Sequence, residues 1–155
     1  MIPDLPWTLS VAGGGECRDE VMQAFAPLGP KRVEWLGALP EEEVARLLSR
    51  GSIFVWPGHG EAYGLAYLEA QAAGLPVVAE ATAGVPEVVE QGRTGILTPA
   101  DDRQAFAAAI RRLLTDDGLR TVLAQQAHSF ALEERSLAGA AARLRQILAR
   151  YVEIR

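Results

Sequence analysis

Residues 53–79 read IFVWPGHGEAYGLAYLEAQAAGLPVVA, and this stretch decides the fold. A short apolar run at residues 53–56 is followed by a loop rich in glycine, a helical pattern at residues 64–73 and a second apolar run at residues 76–79. Short apolar runs bounded by Gly or Pro are typical of strands that are buried on both faces of a parallel sheet. The stretch therefore predicts one strand-helix-strand unit of an α/β protein.

The same alternation extends along the chain in both directions. Further strands are predicted at residues 7–12, 32–36 and 95–98, and further helices at residues 16–28, 41–49 and 86–90. From residue 101 the pattern is purely helical, with Asp101 or Asp102 as the N-cap and an apolar stripe on a last helix at residues 136–154. We predict a single α/β domain over residues 1–155, a Rossmann-like parallel sheet with helices on both faces and a helical C-terminal tail.

The composition excludes several classes of protein. The 155 residues carry a formal charge of −5 with scattered Lys and Arg, which is unlike the basic face that nucleic-acid binding requires. The single cysteine, Cys17, leaves no internal disulfide, and no run of about 18 apolar residues predicts a membrane span. We expect a cytoplasmic protein that binds no nucleic acid, with peripheral association at the inner membrane left open.

Three loops that lead from a strand into a helix carry the candidate ligand contacts, because ligands of open parallel sheets bind beyond the carboxyl ends of the strands. Gly13 and Gly14 follow the first strand, where the absence of a side chain allows a ligand to approach the backbone. A tight turn with no ligand is an equally good interpretation of these glycines. The loop around Leu39 indicates only a turn.

The third loop, at residues 57–64, is the most informative. The backbone N–H groups of Gly64 and Leu65 fall among the unpaired donors at the start of the following helix, whose positive dipole end suits a pyrophosphate. Glu69 lies further along the same helix, where a carboxylate can accept hydrogen bonds from ribose hydroxyls. Glu61 precedes the helix, and its alternative role is only to complement the helix dipole.

Histidines and tryptophans near these loops have structural alternatives. His59 is a candidate ligand contact in the third loop, with capping of the loop as its alternative, whereas His128 is predicted to be structural. Trp7, Trp35 and Trp56 stand at strand ends, where packing in the core is the commoner role of an aromatic residue.

As one block, residues 61–79 (EAYGLAYLEAQAAGLPVVA) resemble the E-x7-E signature of retaining glycosyltransferases of family 4, which have the GT-B fold. Flanking segments are similar to the same family in the same order, namely residues 10–15, 33–37, 52–57, 84–89 and 92–97. The resemblance covers residues 7–127 and implies that the chain is the C-terminal, donor-binding half of such an enzyme.

The resemblance implies a nucleotide-sugar site in the third loop. The first glutamate of the signature contacts hydroxyls of the donor sugar in this family, which makes Glu61 the expected catalytic residue. The aromatic-Gly-Leu turn supplies backbone N–H groups to the sugar and phosphates and corresponds to Tyr63, Gly64 and Leu65. The second glutamate, which holds the ribose, corresponds to Glu69.

The resemblance also implies peripheral contacts. Gly13 and Gly14 would line the phosphate side of the site, and Leu39 would approach the nucleobase. The donor would be a UDP-, GDP- or ADP-sugar, and no cofactor or metal is expected. Two histidines, one cysteine and no DxD carboxylate pair agree with that expectation.

Two parts of the family pattern do not occur in the chain: the strand and helix that carry a phosphate-binding Arg and Lys, and the N-terminal, acceptor-binding half. We therefore expect the isolated chain to be inactive without that half or a partner chain. In the order 3-2-1-4-5-6 the absent strand is the central one. Residues 10–12 and 53–56 are then predicted either to pair directly or to receive a strand from a partner or from a second copy, as in a strand-exchanged homodimer.

The leading functional prediction is transfer of a sugar from a nucleotide diphosphate with retention. The alternative is a non-catalytic nucleotide-binding domain or a subunit that docks on an acceptor-binding protein. Glycoside hydrolysis is disfavoured because eight helical residues would separate Glu61 from Glu69 by about 12 Å. A nicotinamide dehydrogenase is disfavoured because Arg18 stands at the third glycine of the dinucleotide fingerprint.

Overall fold

The computed structural model describes Ile2 and residues 4–152, and the chain divides into two compact units, Met1–Arg50 and Gly51–Arg155. Each unit contains a parallel sheet with helices around it. The predicted α/β class and the helical C-terminal tail are confirmed. The single domain over residues 1–155 stays a prediction.

Among its described residues, the first unit has two strands and two α-helices. Its elements in chain order are β1 (Leu9–Ala12), α1 (Arg18–Phe25), β2 (Val33–Gly37) and α2 (Glu41–Leu48). Strands β1 and β2 are parallel. Helix α1 ends before the predicted residue 28 because Pro27 has no N–H to continue an α-helix, and the chain goes on as a 3-10 turn, Ala26–Leu28.

Up to residue 152, where the described part of the chain ends, the second unit has three strands and five α-helices. Its elements are β3 (Phe54–Val55), α3 (Leu65–Ala72), β4 (Val77–Glu80), α4 (Val85–Val88), β5 (Gly95–Thr98), α5 (Arg103–Thr115), α6 (Asp117–Ser129) and α7 (Leu137–Val152). The strands are parallel in the order β3-β4-β5. The predicted elements of this region are confirmed in type and order, with ends that shift by a few residues.

Strand β4 is the centre of the second unit, and its four residues are buried. Val77 and Ala79 pack with Tyr67 of α3 in one apolar cluster, whereas Val78 packs with Leu113 of α5 in another. Alternate residues of a strand point to opposite faces. The sheet of this unit therefore has helices on both faces, as its uninterrupted apolar sequence predicts.

The five strands form two sheets, β1-β2 and β3-β4-β5. In the described part of the chain β1 has its ladder with β2, and β3 has its ladder with β4. Each of these strands pairs with a strand of its own unit, and the direct pairing of residues 10–12 with residues 53–56 stays a prediction. A strand donated by a partner or a second copy stays a prediction.

Helix α5 begins at a capping aspartate. The Asp102 carboxylate accepts hydrogen bonds from the backbone N–H groups of Gln104 at 3.0 Å and Ala105 at 2.9 Å. These bonds satisfy two of the donors that a helix N-terminus leaves without partners. Of the two predicted caps, Asp102 is therefore confirmed, and Asp101 has another role described below.

A π-helical turn, Phe130–Glu134, follows α6 and is fixed by two arginines. The buried Phe130 ring has the guanidinium carbon of Arg93 at 5.3 Å and that of Arg135 at 5.0 Å from its centroid. Arg93 also forms an ion pair with Glu134, which holds the pKa of that carboxyl below its ordinary value. The turn thereby attaches the C-terminal helices to the loop before β5.

Helix α7 carries the predicted apolar stripe, although residues 153 and 154 of the predicted helix lie outside the described residues. The large side chains of the stripe are exposed, with Leu137 the most exposed at 91% and Ile147 the least at 48%. An exposed stripe of this kind on an amphipathic helix is typical of a face that packs on another surface. None of the helices in the described ranges is long and apolar enough to cross a bilayer.

The Phe130 contact gives a stability prediction. Phe130→Ala should lower the free energy of unfolding by about 3–5 kcal/mol, because it removes a buried ring and leaves a cavity between two guanidinium groups. Leu132→Ala in the same turn is the matched control, since Leu132 is 51% exposed and its truncation should cost about 0.5 kcal/mol or less. Urea unfolding of both variants checks this; equal midpoints would contradict it.

Candidate functional site

Tyr67 of α3 fixes the start of the loop that leaves β3. Its side chain is fully buried, its ring lies edge-on to Phe54 with the centroids 5.8 Å apart, and its hydroxyl donates to the Trp56 carbonyl oxygen at 3.1 Å. Burial and the nearby carboxylates of Glu61 and Glu80 raise the pKa of the Tyr67 hydroxyl above its ordinary value. The hydroxyl therefore stays a hydrogen-bond donor at neutral pH.

Two glycines allow the loop to wrap around this ring. A Cβ atom at Gly58 would lie 2.5 Å from the Tyr67 hydroxyl oxygen, and one at Gly64 would lie 2.5 Å from Tyr67 Cδ2. Both glycines also have a positive φ, +92° and +89°, which residues with side chains rarely adopt. Glycine at these two positions therefore allows the backbone to pack closely against Tyr67 and also allows the chain to turn.

Glu61 contacts the N-cap residue, Gly64, of the helix that follows the loop. Its Oε1 atom accepts a hydrogen bond from the Gly64 N–H at 2.9 Å. The prediction that the Gly64 N–H is unpaired is therefore wrong for this structure, because the glutamate three residues earlier reaches back to it. The next N–H groups, of Leu65 and Ala66, belong to the first turn of α3 and have no acceptor within the helix.

The side chains around the start of α3 are open to solvent. Tyr63 is 47% exposed and Leu65 is 64% exposed. Glu69 is exposed on α3, one turn beyond Leu65, and its carboxylate forms no hydrogen bond or ion pair with the described residues. Of the predicted residues, Glu61, Tyr63, Gly64 and Leu65 thus lie at the start of α3, whereas Glu69 is the fifth residue of this eight-residue helix, one turn beyond Leu65.

A second close contact holds this loop from the side of α4. A Cβ atom at Gly84 would overlap with the Ala62 carbonyl oxygen, so only glycine fits there. The preceding Ala83 has a φ of +46°, an uncommon backbone conformation for a residue with a side chain. Sequence reasoning assigned Gly84 to a turn and did not identify it, or Tyr67, as a support of the site.

Three polar residues meet at the carboxyl ends of β3, β4 and β5. His59 Nε2 lies 3.1 Å from Asp101 Oδ1, and His59 Nδ1 lies 3.8 Å from Glu80 Oε2. Glu80 Oε2 also accepts a hydrogen bond from the Asp101 backbone N–H at 3.1 Å. Of these three, only His59 is a predicted site residue; no motif or spacing in the sequence singles out Glu80 and Asp101 as its neighbours.

The other predicted contacts lie in the first unit. Gly13 and Gly14 are exposed after β1, with the Gly13 N–H donating to the Gly37 carbonyl oxygen at 2.7 Å, and Leu39 is partly buried before α2. The turns predicted from the residues are confirmed. Contacts of Gly13, Gly14 and Leu39 with a ligand stay predictions.

The tryptophans only partly follow their prediction. Trp7 and Trp35 are half-buried, and Trp35 lies edge-on to Phe25. Trp56 is 48% exposed, so its assignment to the core is wrong. The reason is that β3 ends at Val55, which leaves Trp56 in the loop rather than between the sheet and a helix. His128 Nδ1 lies 2.7 Å from the Ala72 carbonyl oxygen at the end of α3, which agrees with a structural role.

Comparison with known proteins identifies the family. The family described as "Glycosyl transferases group 1" matches residues 2–116. The chain belongs to this family. A D-inositol 3-phosphate glycosyltransferase of Corynebacterium urealyticum is 36% identical to this group 1 glycosyltransferase chain over 135 residues, which are 83% of the chain and 32% of that protein. The chain spans about a third of the length of the curated relatives it matches.

Solved structures show the fold of this group 1 chain. Anabaena HepE in complex with UDP-glucose superimposes with a TM-score of 0.78 at 24% identity, over 96% of the chain and 43% of that protein. The C-terminal domain of a group 1 family glycosyl transferase from Francisella tularensis gives a TM-score of 0.73 at 18% identity, over 86% of the chain and 89% of that structure. The group 1 chain therefore has the fold of a C-terminal GT-B half, as the resemblance implied.

The packing of the loop on Tyr67 gives a prediction with a matched pair of glycines. Gly64→Ala should destabilise the group 1 chain by about 1–3 kcal/mol more than Gly74→Ala, because it adds a clash with a buried ring. Gly74 has a similar φ of +81°, but a Cβ there would meet nothing within 4 Å, so it isolates the cost of backbone strain. Chemical unfolding measures both, and equal losses would show that the contact with Tyr67 does not constrain the loop.

Proposed function

We propose that the chain is the donor-binding part of a retaining glycosyltransferase of family 4, and that the first turn of α3 holds the diphosphate of a nucleotide-sugar. The observation that carries this proposal is the arrangement at the start of α3. The first turn of α3, whose helix dipole favours an anion, has N–H donors without an acceptor in the helix, and Glu61 before the helix and Glu69 within it can accept hydrogen bonds from hydroxyl groups.

Each carboxylate suits a different part of such a donor. Glu61 Oε1 is engaged by the Gly64 N–H, so Oε2 is the oxygen we assign to a sugar hydroxyl. Glu69 has no partner among the described residues, and we assign it to the ribose hydroxyls. A carboxylate offers two acceptor oxygens, which match a pair of neighbouring hydroxyls.

The chemistry would be transfer of the sugar from the diphosphate to an acceptor hydroxyl. The bond between the anomeric carbon and the diphosphate oxygen breaks, a bond to the acceptor oxygen forms on the same face, and the proton of the acceptor hydroxyl passes to the departing diphosphate. The N–H groups at the start of α3 would stabilise the negative charge that develops on the departing diphosphate. Glu61 would act by orienting the sugar through its hydroxyls.

The structure of Anabaena HepE supports the choice of ligand, since that protein was solved in complex with UDP-glucose. The chain spans about a third of its curated relatives, so we assign the acceptor site to a further domain or a partner chain. We assign the nucleotide of the donor to UDP, GDP or ADP.

A non-catalytic subunit is the second candidate, and the exposed stripe of α7 favours it. Leu137, Leu144 and Tyr151 give this helix an apolar face that suits docking on an acceptor-binding protein. A sugar-transfer assay in which the added acceptor-binding protein transfers sugar equally well with the chain and with its Glu61→Ala variant would support this candidate. Transfer by the chain alone would contradict it.

The binding proposal predicts affinity for a nucleoside diphosphate. Titration calorimetry with UDP, GDP and ADP should give one-to-one binding for one of them, and Glu69→Ala should weaken it about 10- to 100-fold because hydrogen bonds to a charged acceptor are lost. Glu43→Ala is the matched control, since Glu43 is an exposed glutamate on α2. No binding of any of the three, or equal loss in both variants, would overturn the proposal.

A further inference from the structure

The cluster of His59, Glu80 and Asp101 combines donors that one divalent cation can bind together. The three residues come from three consecutive parallel strands: His59 from the loop after β3, Glu80 from the last position of β4 and Asp101 from the loop after β5. One ligand atom from each lies within 4.8 Å of the other two. The meeting point is thus the edge of the sheet at which ligands of such folds bind.

Glu80 differs from the other two residues of the cluster because its carboxylate is buried. Its side chain is 6% exposed, and its Oε2 receives a hydrogen bond from the Asp101 backbone N–H. Among the described residues, the one group within ion-pair distance of Glu80 that can be positive is His59. A buried carboxylate is unfavourable unless it is hydrogen-bonded and a positive charge compensates it, and a cation bound beside Glu80 would supply that charge.

The chemistry of the donors selects the class of cation. One imidazole nitrogen and two carboxylate oxygens suit Zn²⁺ and related transition metals, whereas Mg²⁺ and Ca²⁺ prefer oxygen ligands alone. Zinc binds such atoms at about 2.0–2.2 Å, which places two tetrahedral ligand atoms about 3.3–3.6 Å apart. The ligand atoms, which lie up to 4.8 Å apart, must therefore approach one another by about 1 Å on zinc binding. His59 and Asp101 can move, because their side chains are 65% and 85% exposed, whereas Glu80 is the fixed ligand.

We propose that His59, Glu80 and Asp101 form a binding site for one Zn²⁺ ion, with further coordination positions open to solvent. The family resemblance implies that the transfer reaction needs no metal, and this site is proposed separately from that reaction. The proposal does not depend on the assignment of the nucleotide-sugar. A protonated His59 between the two carboxylates is the competing way to compensate Glu80.

The test is a zinc titration of the full chain. Cys17 and His128 can bind zinc elsewhere, so a chain with Cys17→Ser and His128→Gln is the reference protein. Titration calorimetry with zinc chloride at neutral pH should show one-to-one binding to this reference, and zinc should raise its Tm through preferential binding to the folded state. Magnesium chloride should give a far weaker response.

Three substitutions in the reference chain decide the outcome. His59→Gln, Glu80→Gln and Asp101→Asn should each remove most of the zinc affinity and the zinc-dependent rise in Tm. Circular dichroism without zinc shows that each variant is folded. Unchanged zinc binding in His59→Gln, or no binding to the reference chain, would overturn the proposal. A Tm of the reference chain that does not rise with zinc would overturn it as well.

Discussion

The contact of the β3–α3 loop with the buried ring of Tyr67 is the constraint on which the candidate site depends. The ring is held between the sheet and α4, so it does not move to accommodate the loop. The loop must instead pass within contact distance of it, which restricts Gly58 and Gly64 to residues without a side chain. This packing brings Glu61 back to the Gly64 N–H and sets the start of α3.

The same packing explains why the site lies at a helix end that stays accessible. Tyr67 and Ala70 bury one side of α3 against the sheet, while Leu65 and Glu69 lie on its exposed side. A helix that is fixed on one side presents its N–H donors in a constant direction. A ligand with negative charge then meets donors that are already oriented, which lowers the cost of ordering them on binding.

Glu80 links this site to the neighbouring strands. It is the last residue of the buried strand β4, and its carboxylate contributes to the raised pKa of Tyr67 while it also receives the N–H of Asp101. A charge in this position influences both the loop after β3 and the loop after β5. The cation that compensates Glu80 therefore stabilises the positions of the loops after β3 and β5 at the carboxyl edge of the sheet.

The sequence by itself determined the α/β class, the order of the strands and helices and the position of Glu61, Gly64 and Glu69 around one helix start. These features follow from local patterns, because apolar runs, glycine positions and the spacing along a helix act over a few residues. Tertiary structure alone decided that Tyr67 supports the loop, that Trp56 is exposed, and that His59, Glu80 and Asp101 meet. The residues that form the Tyr67 contact and the cluster of His59, Glu80 and Asp101 are 11–42 residues apart in the chain, so local sequence patterns do not predict their contacts. The pairing of parallel strands brings the ends of β3, β4 and β5 to one edge of the sheet, where His59, Glu80 and Asp101 meet.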